Sequence, residues 1–308
     1  MISRVQLFVV TALALCVSVS AFPLGFFSDP ANERALRVHP QLRVAAAKLV
    51  SAANTEDDHS YIRPPATDVS GFPKNDKPYH RAPCPCMNSL ANHGYISRDG
   101  KNLTPQMLKQ AIMDVFHLGE SISEALVNTL PPTLTLADLG VHNFIEHDAS
   151  MVHDDLYFGQ DPSQVNATLV EQLLARATAK GVLTIKVVAH WRHDRERQCA
   201  KTNPQYDFGL KRQAGAYAEA AAFLLAMGDY HSETISVAHA ESFLLHERIP
   251  DDFVRSDVEI TGTHALYVAA KIKAMSTFPW AMLSAFHRLV GSVAHRAWEP
   301  AFPLSVAI

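Results

Sequence analysis

An all-α fold is what this sequence predicts, and three observations carry it. From Pro83 onward apolar residues recur at helical spacing, helix-start signals such as Thr104-Pro105 recur with them, and strand signals are few. The 308 residues are 48% hydrophobic and 19% charged, which is ample for one large packed domain and unlike a disordered chain. A net charge of −4 provides no basic field for nucleic acid or an anionic membrane surface. Four cysteines are too few for a disulfide scaffold of this length, while sixteen histidines keep acid–base and metal chemistry open.

Taken in order, Arg4, the apolar run Leu7 to Val19 and then Val19-Ser20-Ala21 read as a secretory signal peptide over residues 1–21. The chain is therefore predicted to be secreted, with no membrane contact after cleavage. Residues 22–59 read as a leader with one amphipathic helix inside Pro40 to Asn54, and Thr55 to Arg81 is proline-rich and extended. Residues 60–308 form the single domain. Thr104 caps a helix that Pro105 opens and that Pro131-Pro132 stops near Leu130. A short helix starts at Thr135, and a longer one spans Asn143 to Phe158. Helices over Ser163 to Lys180, Ile185 to Ala200, Gln213 to Met227, Ser236 to His246 and His264 to Met275 complete the expectation. Asn102-Leu103-Thr104 and Asn166-Ala167-Thr168 are N-glycosylation acceptor sequences in an exported chain.

Three places carry chemistry. In Pro83-Cys84-Pro85-Cys86, Pro85 as the first helical residue puts Cys84 at the N-cap. There its sulfur faces unpaired backbone N–H groups and the positive end of the helix dipole, both of which favour the thiolate. A disulfide or a zinc half-site are the other readings of this Cys-x-Cys, and a pairing of Cys86 with Cys199 is open. In Glu146-His147-Asp148-Ala149-Ser150, a helix would set Glu146 and Ser150 on one face, which suits a hard cation. A solvated charged face is the alternative, and His153-Asp154-Asp155 permits a rival cluster. In Ala214 to Met227, Glu219 is the only charge of an apolar helix. Burial would raise its pKa and make it a proton shuttle, unless it reaches an edge or pairs with an arginine.

Together these residues resemble the haem-thiolate peroxidase family, that of chloroperoxidase and the peroxygenases. The resemblance runs through Pro83-Cys84-Pro85, Asn88, Ala91-Asn92-His93-Gly94-Tyr95-Ile96, Arg98-Asp99-Gly100, Glu146 to Ser150, Asn166 to Leu169, the Glu219 helix, Glu241-Ser242-Phe243 and Glu247-Arg248-Ile249-Pro250. These fall in the family's order over roughly residues 60 to 275. The resemblance implies a single-domain helical fold around a buried haem b, with Cys84 as the proximal thiolate on iron. It implies Mg2+ held by Glu146, Ser150 and the carbonyl of His147, and a distal pair of His147, oriented by Asp148, with Glu219. Histidine in this position is the pattern of the short peroxygenases. H2O2 and a small organic substrate, with halide as an option, would be the reactants; the oligomeric state is open. A dedicated secondary-metabolite oxidase and a non-catalytic haem-binding protein are the alternatives. Cys86 and Val165 depart from the family's pattern, and the stretch with Trp280, Phe286 and Trp298 does not align.

Overall fold

The structure is a computed structural model and describes residues 59–277. The signal peptide, the leader up to residue 58 with its Pro40–Asn54 helix, and Trp280, Phe286 and Trp298 lie outside the described residues. Among the described residues are eight α-helices: α1 Pro85–Asn92, α2 Pro105–Phe116, α3 Glu120–Val127, α4 Ala167–Leu174, α5 Ile185–Thr202, α6 Leu210–Ala226, α7 Val237–Leu244 and α8 Gly262–Thr277. Two small strand pairs accompany them: β1 (Val69–Ser70) runs parallel to β2 (Tyr79–His80), and β3 (Val182–Thr184) antiparallel to β4 (Thr234–Ser236). No helix among the described residues is long and apolar enough to cross a membrane.

The antiparallel β3–β4 pair launches two helices from its opposite ends. Thr184 and Ser236 end the strands and cap α5 and α7, their hydroxyls accepting from Val187 N (3.4 Å) and His239 N (3.1 Å). With Val182 opposite Ser236, α5 and α7 start from one ladder. Helix α8 packs on α5 and α6, where Tyr217 joins Glu196 of α5 at 2.6 Å and Ser276 of α8 at 2.7 Å. Phe116, Phe243 and Phe253 pack ring to ring between α2, α7 and the segment after it, with centroids 5.5, 5.9 and 6.1 Å apart. Such contacts add to the area that aromatic rings bury.

Four expectations from the sequence need correction. The helix from Thr104 does not reach Leu130. His117 takes a left-handed φ of 56°, its Nδ1 bonds Ser256 O at 2.7 Å, and Leu118 bridges Ile260, so α2 stops and α3 restarts after Gly119. A Cβ on Gly119 would lie 2.7 Å from the Glu259 carboxylate. The helix expected over Ser163 to Lys180 is only α4, opened by Asn166 as N-cap and succeeded by the turn into β3. Thr55 to Arg81, expected as an extended leader, belongs to the domain from residue 59 on. His59 stacks on Tyr95 at 3.9 Å, Ile62 N bonds Asn92 O, and β1 pairs with β2, so this segment is built into the fold around α1. Lastly, Asn143 to Phe158 holds only a 3-10 turn at Leu156–Phe158.

The physical reason for that last failure is long-range. The backbone carbonyls that a helix would use internally are taken by side chains of α5. Arg192 Nη1 donates to Ala149 O (2.7 Å), Arg195 to Ser150 O (2.8 Å) and His153 O (3.2 Å), and Trp191 Nε1 to Met151 O (2.9 Å). Ala149 is left-handed at φ 60°, and its N–H goes to Asp155 Oδ1 at 2.8 Å. The bonds from α5 each run from side chain to backbone across about forty residues, which local sequence pattern does not encode.

Candidate active site

Cys84 is the N-cap of α1, with φ −124° and ψ 105°, and Pro85 is the first helical residue, as the sequence predicts. The thiol sits below its ordinary range. The side-chain hydrogen bond from Cys86 is the largest cause; burial opposes it; the Met87 and Cys86 backbone N–H groups add to the lowering, and the Glu219 carboxylate opposes. The Cys86 thiol is correspondingly pushed well above its ordinary range. Cys84, Cys86 and Cys199 are all free, so neither a Cys84–Cys86 disulfide nor a Cys86–Cys199 pairing forms. Cys199 is buried in a separate apolar cluster with Ala149, Phe208 and Ala216.

His147 and Glu219 meet. His147 Nδ1 donates to the backbone carbonyl of Asp148 at 2.7 Å, which turns Nε2 toward Glu219 Oε2 at 3.2 Å. Asp148 thus orients the imidazole, but through its carbonyl. The Asp148 carboxylate instead accepts from Asp207 N at 2.8 Å. The raised pKa expected of Glu219 is not found. Its side chain is 59% uncovered. Desolvation is still the largest single influence and pushes the carboxyl up, but His147, through charge and hydrogen bond, then Arg192 and His153, outweigh it and hold it low. Burial pulls His147 down, yet Glu219 outweighs it and the imidazole is raised above its ordinary value.

Two further residues belong here: Arg192, which the sequence does not mark, and His153, which it offers only within a rival metal cluster. Arg192 is 1% exposed, and its charge acts on both His147 and Glu219. Its Nε and Nη2 have no hydrogen-bond partner among the described residues. In the sequence it opens a run of charges, and nothing in that run marks it as buried. His153 is buried and held neutral, its pKa lowered to about 4 by burial. It shares a hydrogen bond with Ser150 Oγ at 3.3 Å.

Glu146 and Ser150 do not share a helical face, because no helix is there. Glu146 Oε2 receives His142 Nδ1 at 2.6 Å, and Ser150 Oγ accepts from Val152 N and His153 N at 3.3 and 3.2 Å. No cluster of three His, Cys, Asp or Glu side chains suited to a metal occurs among the described residues. Carboxylate, carbonyl and hydroxyl are nevertheless the oxygen donors that Mg2+ takes. A cavity of about 360 Å3 adjoins this loop, lined by His142, Asp148, Tyr157, Asn203 and Gln205, and includes neither Cys84 nor Glu219.

The residues fit a haem in their donor chemistry. A thiolate-disposed sulfur and a carboxylate–imidazole pair come from separate elements, and the Glu219 charge reaches Cys84. Of the two acceptor sequences, Asn102 is exposed, while the Asn166 amide nitrogen is engaged with Asp154 Oδ2 at 2.8 Å.

Comparison with known proteins agrees. The family described as Peroxidase, family 2 matches residues 42–258. An aromatic peroxygenase of Coprinellus radians is 30% identical over 217 residues, covering 59% of this chain and 82% of that protein. An aromatic peroxygenase of Cyclocybe aegerita is 29% identical over 211 residues, 59% of this chain and 57% of its own length. A dothistromin biosynthesis peroxidase of Dothistroma septosporum is 28% identical over 191 residues, 54% of this chain and 42% of its own. A cysteine at a proline-fixed helix start, an imidazole–carboxylate pair whose charge it feels, and a family match over most of the described residues lead to one conclusion: the chain belongs to the haem-thiolate peroxidase family, peroxidase family 2.

Proposed function

We propose that this chain is a secreted, H2O2-dependent haem-thiolate peroxygenase or peroxidase that oxidises or oxygenates small organic molecules. The observation that carries the reading is the His147–Glu219 pair, whose charge reaches the Cys84 thiol. Cys84 would hold haem iron, and thiolate-ligated haem supplies the cleavage of the peroxide O–O bond when bound. Glu146, the His147 carbonyl and Ser150 would hold Mg2+, for which Glu146 has to release His142.

The chain's own part is proton handling. Glu219 rests ionised because His147 holds it low, so Oε2 is ready to take a proton from H2O2. His147 cannot turn away, since its Nδ1–H is spent on the Asp148 carbonyl. Once Glu219 has taken a proton, its low pKa makes it a ready donor, and the proton can be returned to the leaving oxygen. The neighbouring imidazole steadies the carboxylate at both stages.

The test is Glu219→Gln. Glutamine keeps size and polarity but cannot carry the proton, so the variant folds and takes up haem while its reaction with H2O2, followed at the Soret band by stopped flow, slows by about 10²–10⁴. Equal rates in variant and wild type would remove Glu219 from the mechanism. A second reading, a tailoring oxidase with one metabolite as substrate, is favoured by similarity to the dothistromin biosynthesis peroxidase. Slow turnover of generic aromatic probes beside fast turnover of one metabolite would select it.

A further inference from the structure

We propose that Glu247 is a positioning residue for Cys84: acting through Asn88, it fixes the backbone on both sides of the cysteine and so aims the sulfur. The proposal deepens the haem-thiolate reading and rests on it for what the sulfur holds.

Asn88 lies one turn beyond Cys84, and its backbone N–H donates to Cys84 O at 3.1 Å. Its side chain reaches back past the cysteine. Oδ1 accepts from Ala82 N at 2.8 Å, and Nδ2 donates to Ala82 O at 2.7 Å. One amide therefore pins the residue two before Cys84, and the same residue's backbone pins Cys84 itself. The clamp works in a single orientation. Rotated by half a turn, the amide would set N–H against N–H and carbonyl against carbonyl, losing both bonds.

Glu247 enforces that orientation. Its Oε1 accepts the second Nδ2 proton of Asn88 at 2.5 Å. An ionised carboxylate only accepts, so it admits the NH2 end of the amide and rejects the oxygen end. The Glu247 side chain is 5% exposed and has Arg63 Nη2 at 3.3 Å as its counter-ion. Its own backbone is left-handed at φ 50°, strained for a residue with a Cβ. The corner is held by Asn92 Nδ2 donating to Glu247 O at 3.1 Å, with Asn92 Oδ1 in turn taking two donors of Arg81. Glycine would adopt this backbone without strain, so what glutamate adds at the corner is the carboxylate.

That contrast supplies the experiment, done on the full-length, haem-loaded protein with E247G, E247Q, R63M and N88A. Two quantities are read: hydrogen exchange at the Ala82 amide, and the Soret position of the reduced protein with carbon monoxide. E247G relieves the backbone and removes the carboxylate, so the fold is retained. Ala82 exchange then rises about 10- to 100-fold, the worth of one hydrogen bond to a charged group. Part of the carbon monoxide complex moves from the thiolate to the neutral-thiol Soret position. E247Q keeps an acceptor oxygen and restores both quantities. R63M removes the counter-ion, together with the Arg63 bond to Leu245 O, and leaves both as in wild type.

Wild-type exchange and Soret in E247G would overturn the proposal, and so would R63M reproducing the E247G effect. Should E247G fail to fold, N88A must release Ala82 and shift the Soret band by itself, and its failure to do so is equally decisive. A wild-type protein without a thiolate band defeats the haem reading instead, because exchange at Ala82 needs no iron.

Discussion

The start of α1 and the loop at 146–153 face the same chemistry and are held in opposite ways. At α1 the backbone is set first by near neighbours, with Glu247 as a distant brace: Pro85 fixes the first helical φ, Asn88 closes on Ala82 six residues back, and Gly100 lets His80 O approach where a Cβ would stand 2.1 Å away. At 146–153 the local bonds are mostly side-chain turns, and the backbone carbonyls are held from a distance. Arg192, Arg195 and Trp191 of α5 take four carbonyls from outside, and Asp155 and Asn203 brace Ala149 and one another. The cysteine is therefore presented by a rigid regular element. The imidazole is presented by an irregular segment whose shape is borrowed from another helix. A site can be precise on both sides only if the lending helix is itself fixed, and α5 is, between β3 and α8.

The largest effect tests the cysteine side. Cys84→His should abolish the thiolate Soret signature and oxygen transfer altogether, because imidazole is neutral and lacks the sulfur's electron donation. Unchanged oxygenation would move the ligand to Cys86 or Cys199 and void the comparison.

The next effect separates borrowed from local order. Arg195→Met leaves Ser150 O and His153 O without the guanidinium, at a side chain that is 3% exposed. A loss of about 2–3 kcal/mol is expected in urea unfolding, as for hydrogen bonds to a charged group. Pro85→Ala, which only loosens the unfolded chain's φ, should cost about 0.4–1 kcal/mol. Equal losses would mean that the loop does not depend on α5.

This asymmetry also explains what was legible in the sequence. Cys84 at an N-cap, the helices α5 to α8 and the ordered motifs could be read, because proline chemistry and 3.6-residue periodicity are local properties. Glu146 to Ser150 was recognisable as a motif yet misplaced on a helix, since the bonds that prevent the helix come from residues 191–195. Glu219 was found by its isolation in an apolar stretch, but the same isolation suggested burial and a raised pKa. A helix stretch of this composition reads the same whether its one carboxylate is covered or uncovered. His147, 72 residues away in sequence, reverses the direction of the shift. Arg192 and His153 carried no pattern that distinguishes a buried charge from a surface one.

A smaller effect concerns pH. Burial is the largest influence on Glu247 and raises its carboxyl above the ordinary value of 4.5, against the pull of Arg63, Asn88 and Arg81. A raised folded-state pKa means that the native state binds the proton more tightly than the unfolded chain. The stabilisation from that proton is then full below about pH 4.5 and is lost as pH rises through the folded value. Glu247→Gln removes the titration. The stability difference between wild type and variant, measured by urea unfolding, should shift against wild type as pH rises through that window. A difference independent of pH from 3 to about 7 would show that Glu247 titrates as an ordinary carboxylate.

The smallest effect compares the two glycosylation sequences, and here local geometry decides. Asn102 is exposed, at a left-handed φ of 55°, ahead of the Thr104 cap. Asn166 is itself a cap: its Oδ1 accepts from Leu169 N at 3.2 Å, and its Nδ2, the atom a glycan would take, donates to Asp154 at 2.8 Å. A glycan on Asn166 would replace an amide proton that the folded protein uses. In protein exported from a eukaryotic host, Asn102→Gln should therefore remove one glycan's mass and leave stability within about 0.5 kcal/mol, as for a surface change. Asn166→Gln should change no mass and cost about 1 kcal/mol, the worth of an N-cap. Intact-mass measurement with thermal unfolding reads both. A glycan lost from the Asn166 variant would mean that modification precedes folding of α4 and that Asp154 finds another partner.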